Sequence, residues 1–184
     1  MEKKEILVLT GSPRKDGNSE LLAEAFIEGA QKAGHIVTKI RTAEYQVNGC
    51  LACERCWADG THCSQKDDMF KIYPALEKAD VLVFATPLYF YSWPSKLKAV
   101  LDRTFTYISP DKKADLKIKE CVLLVTAETK DVSDLDGLVN SYRIVARFSK
   151  WQDRGVLRAT GVLGKGEIRK GNWLEQAKKM GFEI

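Results

Sequence analysis

Between Ile6 and Ala30 the chain passes from a continuous apolar run to a helical repeat, and this passage constrains the fold more than any other feature. Ile6-Leu7-Val8-Leu9 has the length and composition of a buried strand. Leu21, Leu22, Ala25, Phe26 and Ala30 then recur at helical spacing, with Glu20, Glu24 and Glu28 on another face. The loop between them reads Thr10-Gly-Ser-Pro-Arg-Lys-Asp-Gly-Asn-Ser19. It brings Arg14 and the short donors Ser12, Asn18 and Ser19 to a helix N-terminus, where backbone N–H groups are unpaired and the helix dipole is positive. Gly11 and Gly17 let the backbone turn close to a ligand. Such a turn suits a phosphate. The plainer reading is an N-cap without a ligand, which Asn, Ser and Gly serve equally well, but the arginine converging with several donors favours phosphate.

The rest of the chain repeats the alternation. His35–Ile40, Val81–Ala85, Cys121–Val125 and Gly155–Val162 read as strands. Helices are expected over Ser19–Ala33, after Asp67-Asp68 with Phe70, Tyr73 and Leu76 as the apolar stripe, and after Pro94 with Leu97, Val100, Leu101, Thr104 and Phe105 on one face. Two more are expected over Asp134–Phe148 and from an Asn172 cap to Gly181. Pro74 must start the regular part of its helix or kink it. The pattern predicts an α/β fold: a doubly wound, five-stranded parallel sheet in one domain over residues 1–184, with a cysteine-rich insertion at about 48–64.

Composition removes several classes of function. The net charge of +4 is too mild to imply nucleic acid, and the basic residues are interspersed with acids. No apolar run approaches membrane-spanning length, and Met-Glu-Lys-Lys-Glu leads straight into a strand. The expectation is a cytoplasmic protein without a signal peptide, whose free cysteines stay reduced unless they bind metal or do redox work.

Ligands of doubly wound sheets bind at the carboxyl ends of the strands. Three loops should meet there: Thr10–Ser19, Thr86–Trp93 and Thr126–Lys130. The second carries Tyr89, Phe90, Tyr91 and Trp93, aromatics that suit either a planar ligand or a subunit interface. A phosphate loop beside an aromatic loop suggests FMN. A dinucleotide fits less well, because the first turn lacks the G-x-G-x-x-G fingerprint.

Gly11-Ser-Pro-Arg-Lys-Asp-Gly-Asn-Ser19, Thr86-Pro-Leu-Tyr-Phe90 and Leu97-Lys-Ala-Val-Leu-Asp-Arg103 together resemble the NADPH-dependent FMN reductase superfamily, and the cysteine block resembles its iron–sulfur flavoprotein branch. The resemblance implies a flavodoxin-like sheet in the order 2-1-3-4-5. It also implies Ser12, Arg14, Asn18 and Ser19 at the FMN phosphate, and Pro87, Leu88, Tyr89 and Phe90 along the ring. Relatives often carry glycines after strand four, where this chain has Thr126-Ala-Glu-Thr129; Ala127 is the expected contact there.

Cys50, Cys53 and Cys56 are spaced C-x2-C-x2-C, and Cys63 follows after six residues. Three thiolates so spaced wrap the corner of a 4Fe–4S cluster and a later one closes it. Zinc usually draws its cysteines from two separated pairs, a dithiol–disulfide couple needs two, and an empty thiol site is the other reading. Gly49 and Gly60 relax the segment, Ala52 permits close approach, and Trp57 is placed to shield a cluster. Cys121 reads as core, and His35 and His62 as ordinary histidines. Asp67-Asp68 reads as a helix start, and Glu128 as a solvated charge.

The reading is an FMN-dependent oxidoreductase with NAD(P)H as donor and a small-molecule or ferredoxin-like redox partner, assembled as a homodimer or homotetramer. Two alternatives stand beside it: a non-enzymatic FMN electron carrier, and a metal-thiolate redox-sensing module.

Overall fold

The computed structural model describes residues 2–58, 62–108 and 115–184. Gly60 lies outside the described residues. In chain order the elements are β1 (Glu5–Thr10), α1 (Asn18–Lys32), β2 (Ile36–Arg41), α2 (Arg55–Ala58), α3 (Met69–Lys78), β3 (Val81–Pro87), α4 (Ser95–Asp102), β4 (Glu120–Thr126), α5 (Asp136–Phe148), β5 (Gln152–Ala159) and α6 (Trp173–Phe182). The strands form one parallel sheet in the order β2-β1-β3-β4-β5, as the resemblance implies.

Both faces of the sheet are covered, and the two-residue period of a strand sorts its side chains between them. Ile6, Val8, Val81, Val83, Val122 and Leu124 pack beneath Leu22 and Phe26 of α1 and Ala177 of α6. Leu7, Leu9, Leu82, Phe84, Leu123 and Val125 face Ile72 and Leu76 of α3, Leu97 and Val100 of α4, and Leu138 and Tyr142 of α5. Each fully buried side chain of this size contributes about 1.5–3 kcal/mol. The helices α1 and α6 touch through glycines. A Cβ at Gly29 would stand 1.9 Å from the Lys178 carbonyl oxygen, and one at Gly181 would stand 2.0 Å from that of Phe26. This close pairing fixes α1, and with it the loop that precedes α1.

Three expectations need correction. β5 covers Gln152–Ala159, starting and ending before the expected span. Gln152-Asp-Arg is too polar to read as a buried strand, but β5 is an edge with β4 as its one neighbour and tolerates polar residues. Phe70 is 47% exposed, because the inward stripe of α3 is Met69, Ile72, Tyr73 and Leu76. Pro74 lies inside that helix. Asn172 makes no side-chain cap bond; its Oδ1 accepts from Gln176 Nε2 at 2.7 Å instead.

Candidate functional site

Four loops meet at the carboxyl ends of the strands, and backbone hydrogen bonds continue the sheet into them. The Gly11 N–H donates to the Ala85 carbonyl at 2.9 Å, and that of Leu88 to Thr126 at 2.8 Å. The Ala127 N–H donates to Ala159 at 2.9 Å, and that of Val162 to Ala127 at 2.9 Å. A cavity of about 240 Å³ opens between these loops. Ser12, Arg14, Asn18, Ser19, Pro87, Leu88, Tyr89 and Ala127, all picked out from the sequence, line it. A second hollow of about 450 Å³ shares Leu88, Ala127 and Glu128 with the first and extends the rim to Phe90 and Tyr91. Another hollow, about 420 Å³, lies at the opposite end of the sheet beside Lys119 and Trp151, away from the strand ends where such folds bind ligands.

The first cavity suits an anion. Its floor is the N-terminus of α1, where Gly17 is the N-cap and no side chain caps the helix. Among the described residues, the N–H groups of the first turn have no side-chain partner. Ser12 is buried, and its Oγ accepts from the Arg14 N–H at 3.2 Å, which orients the loop. Arg14 has no ion pair among the described residues. Glu20, in the same first turn, is committed elsewhere: Lys39 Nζ lies 2.7 Å and Arg41 Nε 3.5 Å from its carboxylate. Its charge is thereby compensated away from the cavity.

Asn18 is placed at the cavity, but its side chain is already in use. Nδ2 donates to the carbonyls of Val162 at 3.3 Å and Gly164 at 2.9 Å, while Oδ1 accepts from the Ile168 N–H at 3.2 Å. The amide thus fastens the loop after β5 to the N-terminus of α1. Glu167 secures the same loop by accepting from the N–H groups of Leu163 at 3.0 Å and Gly164 at 2.8 Å. As a result Lys165 lines the cavity, paired loosely with Asp16 at 3.3 Å on the surface.

The aromatic loop is divided by function. Trp93 is core: it packs on Phe84 with centroids 5.4 Å apart, and its Nε1 donates to Ser141 Oγ at 3.0 Å. Tyr89 and Ser92 exchange backbone hydrogen bonds at 3.1 and 3.0 Å, closing a two-residue turn. Phe90 and Tyr91 occupy that turn at φ of 45° and 63°. Both stand in the left-handed region that such turns normally fill with Asn-Gly. The turn holds Phe90 97% exposed at the mouth of the rim.

The cysteine segment is irregular. Cys50 and Cys53 are exposed, Cys56 is half-buried, Cys63 is buried, and all are free thiols. Ala52 and Glu54 adopt φ of 51° and 57°, in the left-handed region that non-glycine residues seldom occupy. The Ala52 N–H donates to Cys50 Sγ at 3.4 Å. The Arg55 N–H holds the Cys53 thiol below its ordinary value, with the Ser64 hydroxyl assisting. Burial pushes the Cys56 thiol up, and negative charge at Cys63, Cys50 and Cys53 adds to the effect. Among the described residues no three Cys, His, Asp or Glu side chains stand close enough together to hold a metal ion. The donor set, four free thiols in one segment, is nonetheless the chemistry that an iron–sulfur cluster takes. Trp57 stacks on Phe105 at 4.6 Å and flanks the segment. Cys121 is fully buried, as expected, and burial raises its thiol to about 11.

Residues 5–139 match the family model described as NADPH-dependent FMN reductase. The chain belongs to that family. The match runs from the start of β1 into α5 and so contains the anion loop, the cysteine segment and the aromatic turn. Among curated relatives, an iron–sulfur flavoprotein of Archaeoglobus fulgidus is 31% identical over 99 residues, covering 54% of this chain and 44% of its own length. An iron–sulfur flavoprotein of Methanosarcina thermophila is 35% identical over 96 residues, covering 52% and 50%. The chain thus spans about half the length of these curated relatives. The NAD(P)H:quinone oxidoreductase of Methanothermobacter marburgensis superposes with a TM-score of 0.78 at 21% identity, over 99% of this chain and 97% of that one. An FMN-dependent NADH-azoreductase of Bacillus anthracis, solved with FMN, gives 0.72 at 17% identity over 98% of each. At these identities the likeness is one of fold.

The sequence reading missed one of this FMN reductase family member's four rim loops. Residues after β5 carry Leu163 and Lys165 into the cavity. The signal was available, because a fifth parallel strand must also end on that rim and Gly161, Gly164, Gly166 and Gly171 mark a loop there. No local signal pairs Arg103 with Asp67, or Asn18 with Gly164.

Proposed function

We propose that the chain is an FMN-dependent oxidoreductase that takes electrons from NAD(P)H. In this reading the FMN phosphate sits on the α1 N-terminus, with the Ser12 and Ser19 hydroxyls, Arg14 and Lys165 around it. Asn18 contributes its backbone N–H and uses its side chain to hold the opposite loop. Pro87, Leu88, Tyr89, Phe90 and Ala127 bound the space for the ring. Bound FMN supplies hydride acceptance from the nicotinamide and onward transfer of electrons singly or in pairs. The observation that carries the reading is a helix N-terminus without a side-chain cap, beside an arginine that has no ion pair among the described residues and two hollows at the strand ends that share Leu88, Ala127 and Glu128. The test is anaerobic mixing of the FMN-loaded protein with NADPH and with NADH. Bleaching of the flavin faster than free FMN reacts supports the enzyme; equal rates leave an FMN electron carrier.

Cys50, Cys53, Cys56 and Cys63 are the proposed ligands of a 4Fe–4S cluster, which supplies one-electron exchange with a ferredoxin-like or small-molecule partner. The left-handed turns and the N–H bonds to sulfur support this. Anaerobic preparation with iron and sulfide analysis and low-temperature EPR tests it. Stoichiometric zinc, or thiols that take up no iron on reconstitution, would refute it. The exposed Phe90–Tyr91 turn supports assembly as a homodimer or homotetramer. Light scattering should then give at least twice 20.7 kDa. Four free thiols favour a cytoplasmic, reducing location.

A further inference from the structure

The cysteine segment is closed at its base by a buried ion pair that the proposed electron route does not use. Arg103 directly follows α4 and is 2% exposed. Its Nη1 lies 2.8 Å from Asp67 Oδ2, and its Nη2 lies 3.3 Å from Oδ1. Nη1 also donates to the Asn48 carbonyl at 3.0 Å, while Asp67 Oδ2 accepts from the Asn48 N–H at 3.0 Å. Asn48, just before Cys50, is therefore gripped through both its backbone groups. Asp67, just after Cys63, holds the other stem and accepts from the Met69 N–H at 3.0 Å with its second oxygen.

Further rungs brace the same closure. The Gln46 N–H donates to Asp68 Oδ2 at 2.8 Å, and the Asp68 N–H donates to the Gln46 carbonyl at 3.1 Å. Inside the closure, Gln65 Nε2 donates to the Gly49 carbonyl at 3.0 Å and lies 3.9 Å from Cys63 Sγ. Leu97, Val100 and Leu101 bury α4 in the core, so the closure is fastened to the sheet itself.

We propose that Arg103 and Asp67 are positioning residues for metal binding: they hold both stems of the segment that carries Cys50, Cys53, Cys56 and Cys63 to one guanidinium, and so keep the four thiols on a closed loop that can gather on a metal ion. The proposal rests on the reading of those four thiols as a metal site. A buried ion pair is weak evidence for stability, since apolar residues of the same shape serve as well or better. What an apolar pair cannot do is grip a backbone N–H and C=O in a set direction. Burial opposes the Arg103 charge, but the bond to Asp67 more than offsets it. Arg103 Nε is buried without a hydrogen-bond partner, an arrangement that costs stability in the absence of an acceptor.

The test is an anaerobic cobalt(II) titration of the full FMN-loaded chain, read by the thiolate-to-cobalt charge-transfer absorption. R103M/D67N removes the pair without stranding a charge, and R103K keeps the charge but loses the fork. FMN affinity reports that each variant is folded. The expected result is unchanged FMN affinity, with cobalt affinity lower by about tenfold or more in R103M/D67N and by a smaller factor in R103K, and weaker thiolate absorption in both. Wild-type cobalt affinity and absorption in either variant that still binds FMN would overturn the positioning role and leave the metal site standing. Absence of the thiolate–cobalt band from the wild-type protein would overturn the metal reading and the positioning role together.

Discussion

Ser12, Leu88, Ala127 and Val162 stand at the rim because backbone puts them there: each follows a strand, and N–H to C=O bonds carry the sheet pattern one step into each loop. Cys50, Cys53, Cys56 and Cys63 lie in a segment whose regular structure, among the described residues, is the short α2. That segment is held by side chains: Arg103, Asp67, Asp68 and Gln65 do what strands do at the rim. The two regions therefore respond differently to substitution. At the rim a side chain such as that of Arg14 can be changed without moving its neighbours, so its substitution reports on ligand contacts; Ser12, Asn18 and Glu167, which brace the rim loops, are the exceptions. In the cysteine loop, a substitution remote from any thiol can displace all four.

The largest expected effect is on metal content. Cys63→Ser, which removes the buried thiol, should abolish iron loading on anaerobic reconstitution while FMN affinity, measured by fluorescence, stays at the wild-type value. Loss of both together would mean that the two regions are one site. Arg14→Ala comes next. It deletes a charge-assisted phosphate contact, and FMN affinity should fall by about 1.5–3 kcal/mol with riboflavin affinity unchanged. A matching loss for riboflavin would place Arg14 away from the phosphate.

The exposed turn offers a smaller effect of opposite sign. Phe90→Asn with Tyr91→Gly gives the turn its preferred residues and should stabilise the fold by about 1–2 kcal/mol, read as a higher Tm. If the strained aromatics serve the ligand or a second copy of the chain, flavin turnover or assembly should fall in the same variant. Higher stability with both unaltered would remove the functional reading of the turn.

The smallest effect concerns the loop after β5. Lys170 holds the Glu167 carboxyl at about 2, helped by the N–H groups of Gly164 and Leu163. A folded-state value below the ordinary one means that the carboxylate's contribution is complete above about 4.5 and is lost as pH falls toward 2. Amide exchange at Gly164 should lose protection across that window. Unchanged protection down to pH 2 would show that Asn18 alone holds the loop.

What was legible in the sequence follows from the same contrast. β1, the anion loop and α1 were read from contiguous residues, because strand, turn and helix each leave a local pattern between Ile6 and Ala30. The sheet order came with the family resemblance, which those same local motifs carried. The start of β5 was missed because an edge strand need not be apolar, and its rim loop was missed with it. The Asn18 amide was read as a phosphate donor, whereas its partners Val162 and Gly164 are distant in sequence and appear only when the sheet brings the loops together. The Arg103–Asp67 pair is a contact of the same long-range kind; Asp67 was read as a helix start, which explains one of its oxygens and not the other.

The central claim is that the α1 N-terminus and its four rim loops bind FMN through the phosphate, independently of the cysteines. Fluorescence titration of FMN and of riboflavin against the chain carrying Cys50→Ser, Cys53→Ser, Cys56→Ser and Cys63→Ser tests it directly. The predicted result is FMN affinity equal to wild type and riboflavin binding weaker by about tenfold or more. Equal affinities for FMN and riboflavin, or loss of FMN binding with the thiols, would contradict it.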